Sequence, residues 1–280
     1  MTAKYTLMTV HAHPDDETIG TGGTMAKAVR DGHRVVLVTG TRGELGVTEW
    51  ENLGYPDSDM MGRTGNLDAR SFWQADLDDA ARRLVWLIRR YKPDVITTYN
   101  EYGGYGHPDH IRTHDVAIRA WPRSGDPAWY PEQLAPEHGG TGPAEAEGGL
   151  APWSASKLYE TAIPASVRDQ MAERMKAMGK QSWWSPPDEA SPEERAEFEA
   201  QVAKMLVPDD TITTRVDISP VLEAKWKALR HHVTQMAPDN PFIQFGLEGW
   251  REFWGQETYI LRESRVESAL PETDLFAGLR

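Results

Sequence analysis

Two imidazoles and three carboxylates crowd the stretch His11-Ala12-His13-Pro14-Asp15-Asp16-Glu17, a density of polar groups that a folding core rarely accepts. A second polar knot, Gly103-Gly104-Tyr105-Gly106-His107-Pro108-Asp109-His110, lies far down the chain. If the two meet in space, His13, Asp16 and one histidine of the second knot make a two-imidazole, one-carboxylate set that suits zinc and leaves a fourth position for water, as hydrolytic sites require. Such an ion acidifies bound water and polarises a carbonyl. A free carboxylate must still take the water's proton, and Asp15, set off from Asp16 by the turn at Pro14, is the candidate. Spacing does not choose among His107, His110 and His114 as the third ligand. A histidine left over is available to stabilise an oxyanion or protonate a leaving amine, with Asp109 placed to orient a neighbouring imidazole. His114, four residues after His110, reads as a solvent-facing or supporting side chain.

The elements that must position these knots are legible around them. Tyr5 to Val10 is a short apolar run, a helical pattern opens at Gly20 and runs to about Arg30, and Val35-Val36-Leu37-Val38 reads as a strand covered on both faces. That order is a βαβ unit with a right-handed crossover. Gln74 to Tyr91 has helical spacing, Val95 to Tyr99 is a third buried strand, and Asp109 to Trp121 a further helix. Both knots therefore follow the carboxyl ends of strands, where open α/β sheets place their ligand sites. Residues 40–72 lack periodicity and read as loop, and 122–152, rich in Pro, Gly, Ala and Glu, as a long loop or linker. Beyond them the sequence predicts a strand at Lys157–Ile163 and a helix at Ala165–Met178. A helix opened by Ser191-Pro-Glu-Glu follows, then a strand at Thr211–Ile218, a helix from Ser219-Pro220 to about Met236, and a strand at Thr258–Arg262. The fold class is α/β, a Rossmann-like mostly parallel sheet with helices on both faces and a smaller C-terminal α+β part. Residues 1–125 form the catalytic part, 126–155 a linker, and 156–280 a part that completes the same domain and its pocket.

The bulk numbers narrow the function. The 280 residues bury a generous core, and the absence of cysteine removes thiol catalysis, thiolate metal sites and disulfide scaffolds together. A net charge of −13 opposes polyanion binding, so no nucleic-acid partner is expected. The N-terminus runs directly into the first knot with no room for a cleavable signal peptide, and no apolar run reaches membrane-spanning length. The expectation is a cytoplasmic protein with a small-molecule substrate and no membrane partner; a homo-oligomer is compatible with the sequence. Eleven tryptophans invite a sugar-stacking role, but Trp183, Trp184, Trp250 and Trp254 are expected to pack in the interior. Met171, Met175 and Met178 fall at helical spacing and read as packing, and Glu193 to Glu199 as a solvated helix face.

His-Pro-Asp-Asp-Glu (13–17), Gly-Gly-Thr (22–24) and Gly-Tyr-Gly-His-Pro-Asp-His (104–110) together resemble the LmbE-like (PIG-L) zinc-dependent deacetylases. The likeness is closest to the branch holding the N-acetylglucosaminyl-inositol deacetylase of mycothiol biosynthesis and the mycothiol S-conjugate amidase. Phe72 to Leu77, Thr213 to Asp217 and Ala228 to Gln235 look like further signatures. The resemblance implies His13, Asp16 and His110 as zinc ligands, with ferrous iron served by the same set. It implies Asp15 as general base, His107 as electrostatic stabiliser or acid held by Asp109, and Tyr105 as donor to the oxyanion. Glu44, in Arg42-Gly43-Glu44, matches a loop that contacts sugar hydroxyls, and His232 lines the site from the C-terminal part.

Two departures stand out. Family members usually carry a further helix and strand between the Gly-Glu loop and the segment Leu53-Gly54-Tyr55-Pro56-Asp57-Ser58, so one crossover and one strand are expected to be shortened or missing. The S-conjugate amidases place a lysine where this chain has Thr18-Ile19-Gly20. The leading expectation is thus a zinc-dependent hydrolase that removes an N-acyl (acetyl) group from an N-acetylglucosamine-type amino sugar or glycoside. The alternatives are an amidase acting on mycothiol-like S-conjugates and, in a different class, a non-catalytic sugar-binding protein. Nucleotide binding through Gly20-x-Gly-Gly is weak, because the spacing is not the dinucleotide fingerprint and no acidic residue ends the second strand.

Overall fold

A computed structural model describes residues 4–41, 49–135, 149–177, 179, 182, 184–233, 236, 240–244 and 246–279. The first apolar run forms β1 (Thr6–His11), followed by α1 (Asp16–Gly20), α2 (Gly22–Arg30), β2 (Arg34–Thr41) and β3 (Glu49–Tyr55). Then come α3 (Leu77–Tyr91), β4 (Val95–Thr98), α4 (Pro108–Ser124), β5 (Lys157–Thr161), α5 (Ala165–Ala177) and α6 (Pro192–Met205). The chain closes with β6 (Thr214–Asp217), α7 (Leu222–Leu229), α8 (Pro241–Gln244), α9 (Gly246–Phe253) and β7 (Gln256–Ser264).

The strands make one sheet in the order β3-β2-β1-β4-β5-β7-β6. The pairs from β3 to β5 are parallel, and β7 runs antiparallel between β5 and β6. Alternation along β1 explains why the sheet needs helices on both faces. Met8 and Val10 join Val36 and Val38 beneath Leu84, Ile88 and Val116 of α3 and α4. Leu7 joins Val35 and Leu37 on the opposite face, with Met25, Leu222, Trp226 and Trp250 of α2, α7 and α9. Each fully buried aliphatic side chain of this kind contributes about 1.5–3 kcal/mol.

Strand order reverses between β1, whose next strand lies to one side, and β4, which lies on the other. That switch point opens a crevice at the carboxyl ends of both strands, and each strand is followed by one of the polar knots. The α/β architecture is as the sequence predicts, with two corrections. Part of the segment read as loop is β3, which pairs in parallel with β2 from Val36↔Glu49 onward. Its composition hides it, because an edge strand needs no continuous apolar run, and only Leu53 and Tyr55 are buried. The strand expected to be shortened or missing is therefore present, and only residues 42–48 separate β2 from β3. The helix expected to reach Met236 stops at Leu229.

Other elements follow their sequence signals. Asp76 caps α3 by accepting the Asp79 amide at 2.8 Å, and Ser191 with Glu194 makes a full capping box on α6. Helix α4 runs to Ser124, past the expected Trp121, and a 3-10 turn spans Pro131–Leu134 within the stretch read as linker. Residues 136–148 of that stretch lie outside the described ones. Trp250 packs against Trp226 and Trp254 in the interior, and Met171 and Met175 are buried too; Trp183 and Met178 are outside the description. No helix among the described residues is long and apolar enough to cross a membrane.

Candidate active site

The His-Pro-Asp-Asp turn leaves β1 and folds back on itself. Asp16 accepts the His13 amide through Oδ2 at 2.9 Å and starts α1. Asp15, the residue before α1, has φ 145°, a region that L-residues rarely occupy. Its amide donates to Glu17 Oε2 at 2.9 Å, and its carbonyl accepts the Thr18 amide at 3.0 Å. This strained backbone separates two adjacent carboxylates, so that they serve different partners.

The second knot is built by helix capping. His107 precedes α4, Pro108 occupies its first turn, and His107 Nδ1 accepts the Asp109 amide at 3.1 Å. Gly103, at φ 65°, lets the loop pass against α4; a Cβ there would stand 2.6 Å from His110 Cβ. Tyr99, at the end of β4, stacks on the His110 ring with centroids 4.3 Å apart.

The two knots meet. Asp16 Oδ2 lies 3.2 Å from His13 Nδ1 and 3.2 Å from His110 Nε2. Donors on a tetrahedral zinc, each about 2.0–2.1 Å from the ion, stand roughly 3.3 Å apart along an edge, so these spacings fit a shared cation. The ring nitrogens of His13, His107 and His110 also come within 4.8 Å of one another, which keeps His107 within reach of the same centre. His110 Nδ1, the other nitrogen of that ring, is buried with no hydrogen-bond partner among the described residues. Burial opposes charge on Asp16, yet the charges of and hydrogen bonds to His110 and His13 hold it well below the usual carboxylate range. It is a carboxylate ready to bind a cation.

Asp15 behaves differently. Burial first, then the charge of Asp16, pushes it up to about 6, which suits a group that must take a proton near neutrality. It shares the wall of a cleft of about 800 Å³ with His13, Asp16, Tyr105 and His107. The Tyr105 hydroxyl is 3.4 Å from His110 Nε2, and burial together with the charges of Asp16 and Asp15 keeps it protonated, hence able to donate. Burial and the charges of His13 and His110 push His107 down, so it is a neutral imidazole until negative charge develops beside it.

Asp109 departs from its expected task. Its backbone amide, not its carboxylate, meets His107. The carboxylate accepts the Ser58 amide at 2.9 Å and the Ser58 hydroxyl, and lies 3.2 Å from His13 Nε2. The reason is geometric: as the second residue of α4, Asp109 points back under the β1 turn. Glu44 lies outside the described residues. His232 reaches the first knot from beyond α7, with Nε2 3.1 Å from Thr18 Oγ1 and its charge felt at Asp15. His114 is not solvent-facing; it is buried, 3.2 Å from Glu160. His11 is a satisfied core histidine between Tyr99 and Thr21.

Sequence reasoning missed Asp57 and Ser58. Asp57 Oδ2 is 2.9 Å from His13 Nε2, and that contact leads in pulling Asp57 down to about 2. Burial alone would lower His13, but Asp109, Asp16 and Asp57 together push it up to about 12. One carboxylate thus faces His13 Nδ1 and two face Nε2, the arrangement in which outer carboxylates orient a ligating imidazole. The available signal was a Pro-Asp-Ser turn after a hidden strand neighbouring β2.

With that geometry in view, comparison with known proteins is decisive. The family model described as "PIG-L: GlcNAc-PI de-N-acetylase" matches residues 8–49 and 43–121, in two pieces that meet at the shortened segment. A 1D-myo-inositol 2-acetamido-2-deoxy-alpha-D-glucopyranoside deacetylase of Geodermatophilus obscurus is 36% identical over 318 aligned residues, covering 100% of this chain and 99% of the relative. The chain belongs to the PIG-L family. Another PIG-L relative with the same description, from Thermomonospora curvata, is 37% identical over 98% of this chain and 96% of its own. Among solved structures, the N,N'-diacetylchitobiose deacetylase of Pyrococcus horikoshii superposes with a TM-score of 0.54 at 19% identity, covering 91% of this chain and 83% of that one. A conserved protein of Thermus thermophilus gives 0.52 at 17%, covering 93% and 96%. These two share the PIG-L fold with this chain.

Proposed function

We propose that this PIG-L protein hydrolyses the N-acetyl amide of a 2-acetamido-2-deoxyglucoside, releasing acetate and the free amino sugar. The observation that carries the reading is that Asp16 Oδ2 lies 3.2 Å from both His13 Nδ1 and His110 Nε2, with Asp15 on the same cleft wall as His13 and Asp16. The naming of relatives that span the whole chain as inositol-glucosaminide deacetylases supports the substrate class.

His13, Asp16 and His110 hold a divalent cation, and the two-nitrogen, one-carboxylate donor set favours zinc, with ferrous iron admitted. When bound, the ion supplies Lewis acidity toward a water and the amide carbonyl. Asp15, raised toward neutrality, takes the proton of the attacking water. Tyr105, kept protonated by its surroundings, donates to the oxygen on which charge develops. His107, neutral at rest, takes up a proton from solvent as that charge grows and passes it to the departing amine, while the proton on Asp15 returns to solvent. Asp109, fixed by Ser58, and Asp57 keep the His13 ring in one orientation. His232 and Glu44 are assigned to the sugar side.

The test is a zinc- and iron-loaded activity screen over N-acetylated glucosaminides, including the inositol glycoside, with the product amine detected directly. Cleavage of a cysteinyl amide conjugate is assayed in parallel. Amine release from the glucosaminides is expected; cleavage of the conjugate alone would overturn the substrate assignment, and binding without turnover would make the protein a sugar-binding one.

A further inference from the structure

Helix α1 carries the two carboxylates of the site, yet it is only Asp16–Gly20 long, and an isolated helix of that length has almost no stability of its own. Something outside it must hold it. Helix α7 lies against α1 and touches it at two points. At one, His232 just beyond α7 meets the Thr18 hydroxyl. At the other, the Lys225 ammonium donates to the Ile19 carbonyl at 2.7 Å, where α1 ends with unpaired carbonyls.

Lys225 is buried, and its ammonium is matched on its other sides. It donates to Glu257 Oε1 at 2.6 Å and stands 5.6 Å from the centroid of the Trp250 ring. Glu257, from β7, in turn accepts the Gly23 and Thr24 amides at 2.8 and 2.7 Å, capping the start of α2, and the Tyr259 hydroxyl at 3.2 Å. Gly23 also lets α2 pass close against Ile218, whose side chain a Cβ there would meet at 2.5 Å. The end of α1 and the start of α2 are thus gripped by one ion pair contributed entirely by the C-terminal part of the chain.

We propose that Lys225, held by Glu257, is a positioning residue that anchors the end of α1 and so keeps Asp15 and Asp16 aimed into the cleft. Asp15 is the point that needs it. A backbone at φ 145° persists only where its surroundings over-determine it, and the hydrogen bonds within the turn come from α1 itself. Releasing the Ile19 carbonyl lets α1 fray from its far end toward Asp15. The choice of Lys225 as the variable is favourable, because Glu257 keeps three donors when the ammonium is removed. The α2 cap then survives while the α1 anchor is lost.

The test compares wild type with Lys225→Met and with Lys225→Gln, the latter keeping a donor should the methionine variant fold poorly. Amide hydrogen exchange over residues 16–21 is the primary readout, since it needs no activity. Exchange there is expected to rise in Lys225→Met while protection of β1 and α3 is unchanged. On the functional reading above, kcat falls about tenfold with KM unchanged, because the reacting groups are misplaced by a fraction of an ångström while substrate contacts remain. Metal affinity is expected to fall as well, because Asp16, one of the proposed ligands, begins the helix that the anchor holds. Unchanged exchange over 16–21 overturns the proposal, as does exchange that rises evenly across the chain with kcat falling only as the folded fraction falls. A wild-type protein without amide hydrolysis defeats the functional reading alone, and the exchange result still decides the anchor.

Discussion

Asp16 Oδ2 stands 3.2 Å from His110 Nε2, although Asp16 follows β1 and His110 follows β4. The contact exists because β1 and β4 are neighbours at the point where strand order reverses, so the turn after one faces the helix after the other. Either side chain alone would be a buried polar group in need of a partner. With His13, whose Nδ1 lies 3.2 Å from the same Asp16 oxygen, they make up the proposed cation site.

That proposal makes metal content the first thing to measure. His110→Ala and Asp16→Ala each remove one of three donors, and the expected loss of affinity exceeds the about 10–100-fold that follows loss of an outer partner. Elemental analysis of the purified variants, set beside their thermal unfolding, checks this. Metal retained at the wild-type level in both variants would rule out the ligand assignment.

Asp15→Asn keeps the shape of the turn but removes the base. Metal binding is expected to be unchanged, with turnover down by about 10²–10⁴-fold. The pH profile gives a second reading of the same residue. Asp15 acts when deprotonated and is pushed up to about 6 by burial and Asp16, so kcat/KM should climb as pH rises through that region. The residual activity of Asp15→Asn should lack that limb, and a limb of unchanged position would assign it to another group.

Much of this site could be read from the chain alone, because each knot is contiguous and follows an unmistakable strand. His13, Asp15, Asp16, Tyr105, His107 and His110 fall together in space for that reason. Other features needed the fold. Asp57 and Ser58 follow β3, an edge strand whose half-exposed residues carry no apolar run, so this strand on the outer side of β2 was not visible. The direction of the Asp109 carboxylate was equally hidden, since sequence adjacency to His107 suggests a partnership that helix geometry gives to the backbone amide. Nothing in the sequence sets Lys225 and Glu257 apart from other charged residues, and only packing shows both to be buried.

Ser58→Ala isolates the support beneath His13. The Ser58 hydroxyl donates to Asp109 and accepts the Trp73 amide at 2.8 Å, while its own amide still reaches Asp109 at 2.9 Å. Removing the hydroxyl loosens Asp109 and, through it, the His13 ring. Metal affinity is expected to fall about tenfold with the fold intact. A competition titration with a chelator measures it, and equal affinities would show that Asp109 needs no such brace.

His114 gives the protein a stability term that depends on alkaline pH. Burial by itself lowers this imidazole, but Asp115 at 3.4 Å and Glu160 at 3.2 Å outweigh it and push it up to about 9. The folded state therefore binds the proton more tightly than the unfolded chain, whose histidine titrates near 6.5. The sign follows: the stabilisation is fully present below about pH 6.5 and is lost as pH rises through about 9. His114→Gln removes the titrating group, so its urea-unfolding free energy should lack this decline between about pH 6.5 and 9. Parallel slopes for the two proteins across that window would place the pH dependence elsewhere. A decline confined to the wild type would tie it to the His114–Glu160 pair, which joins α4 to β5 behind the site.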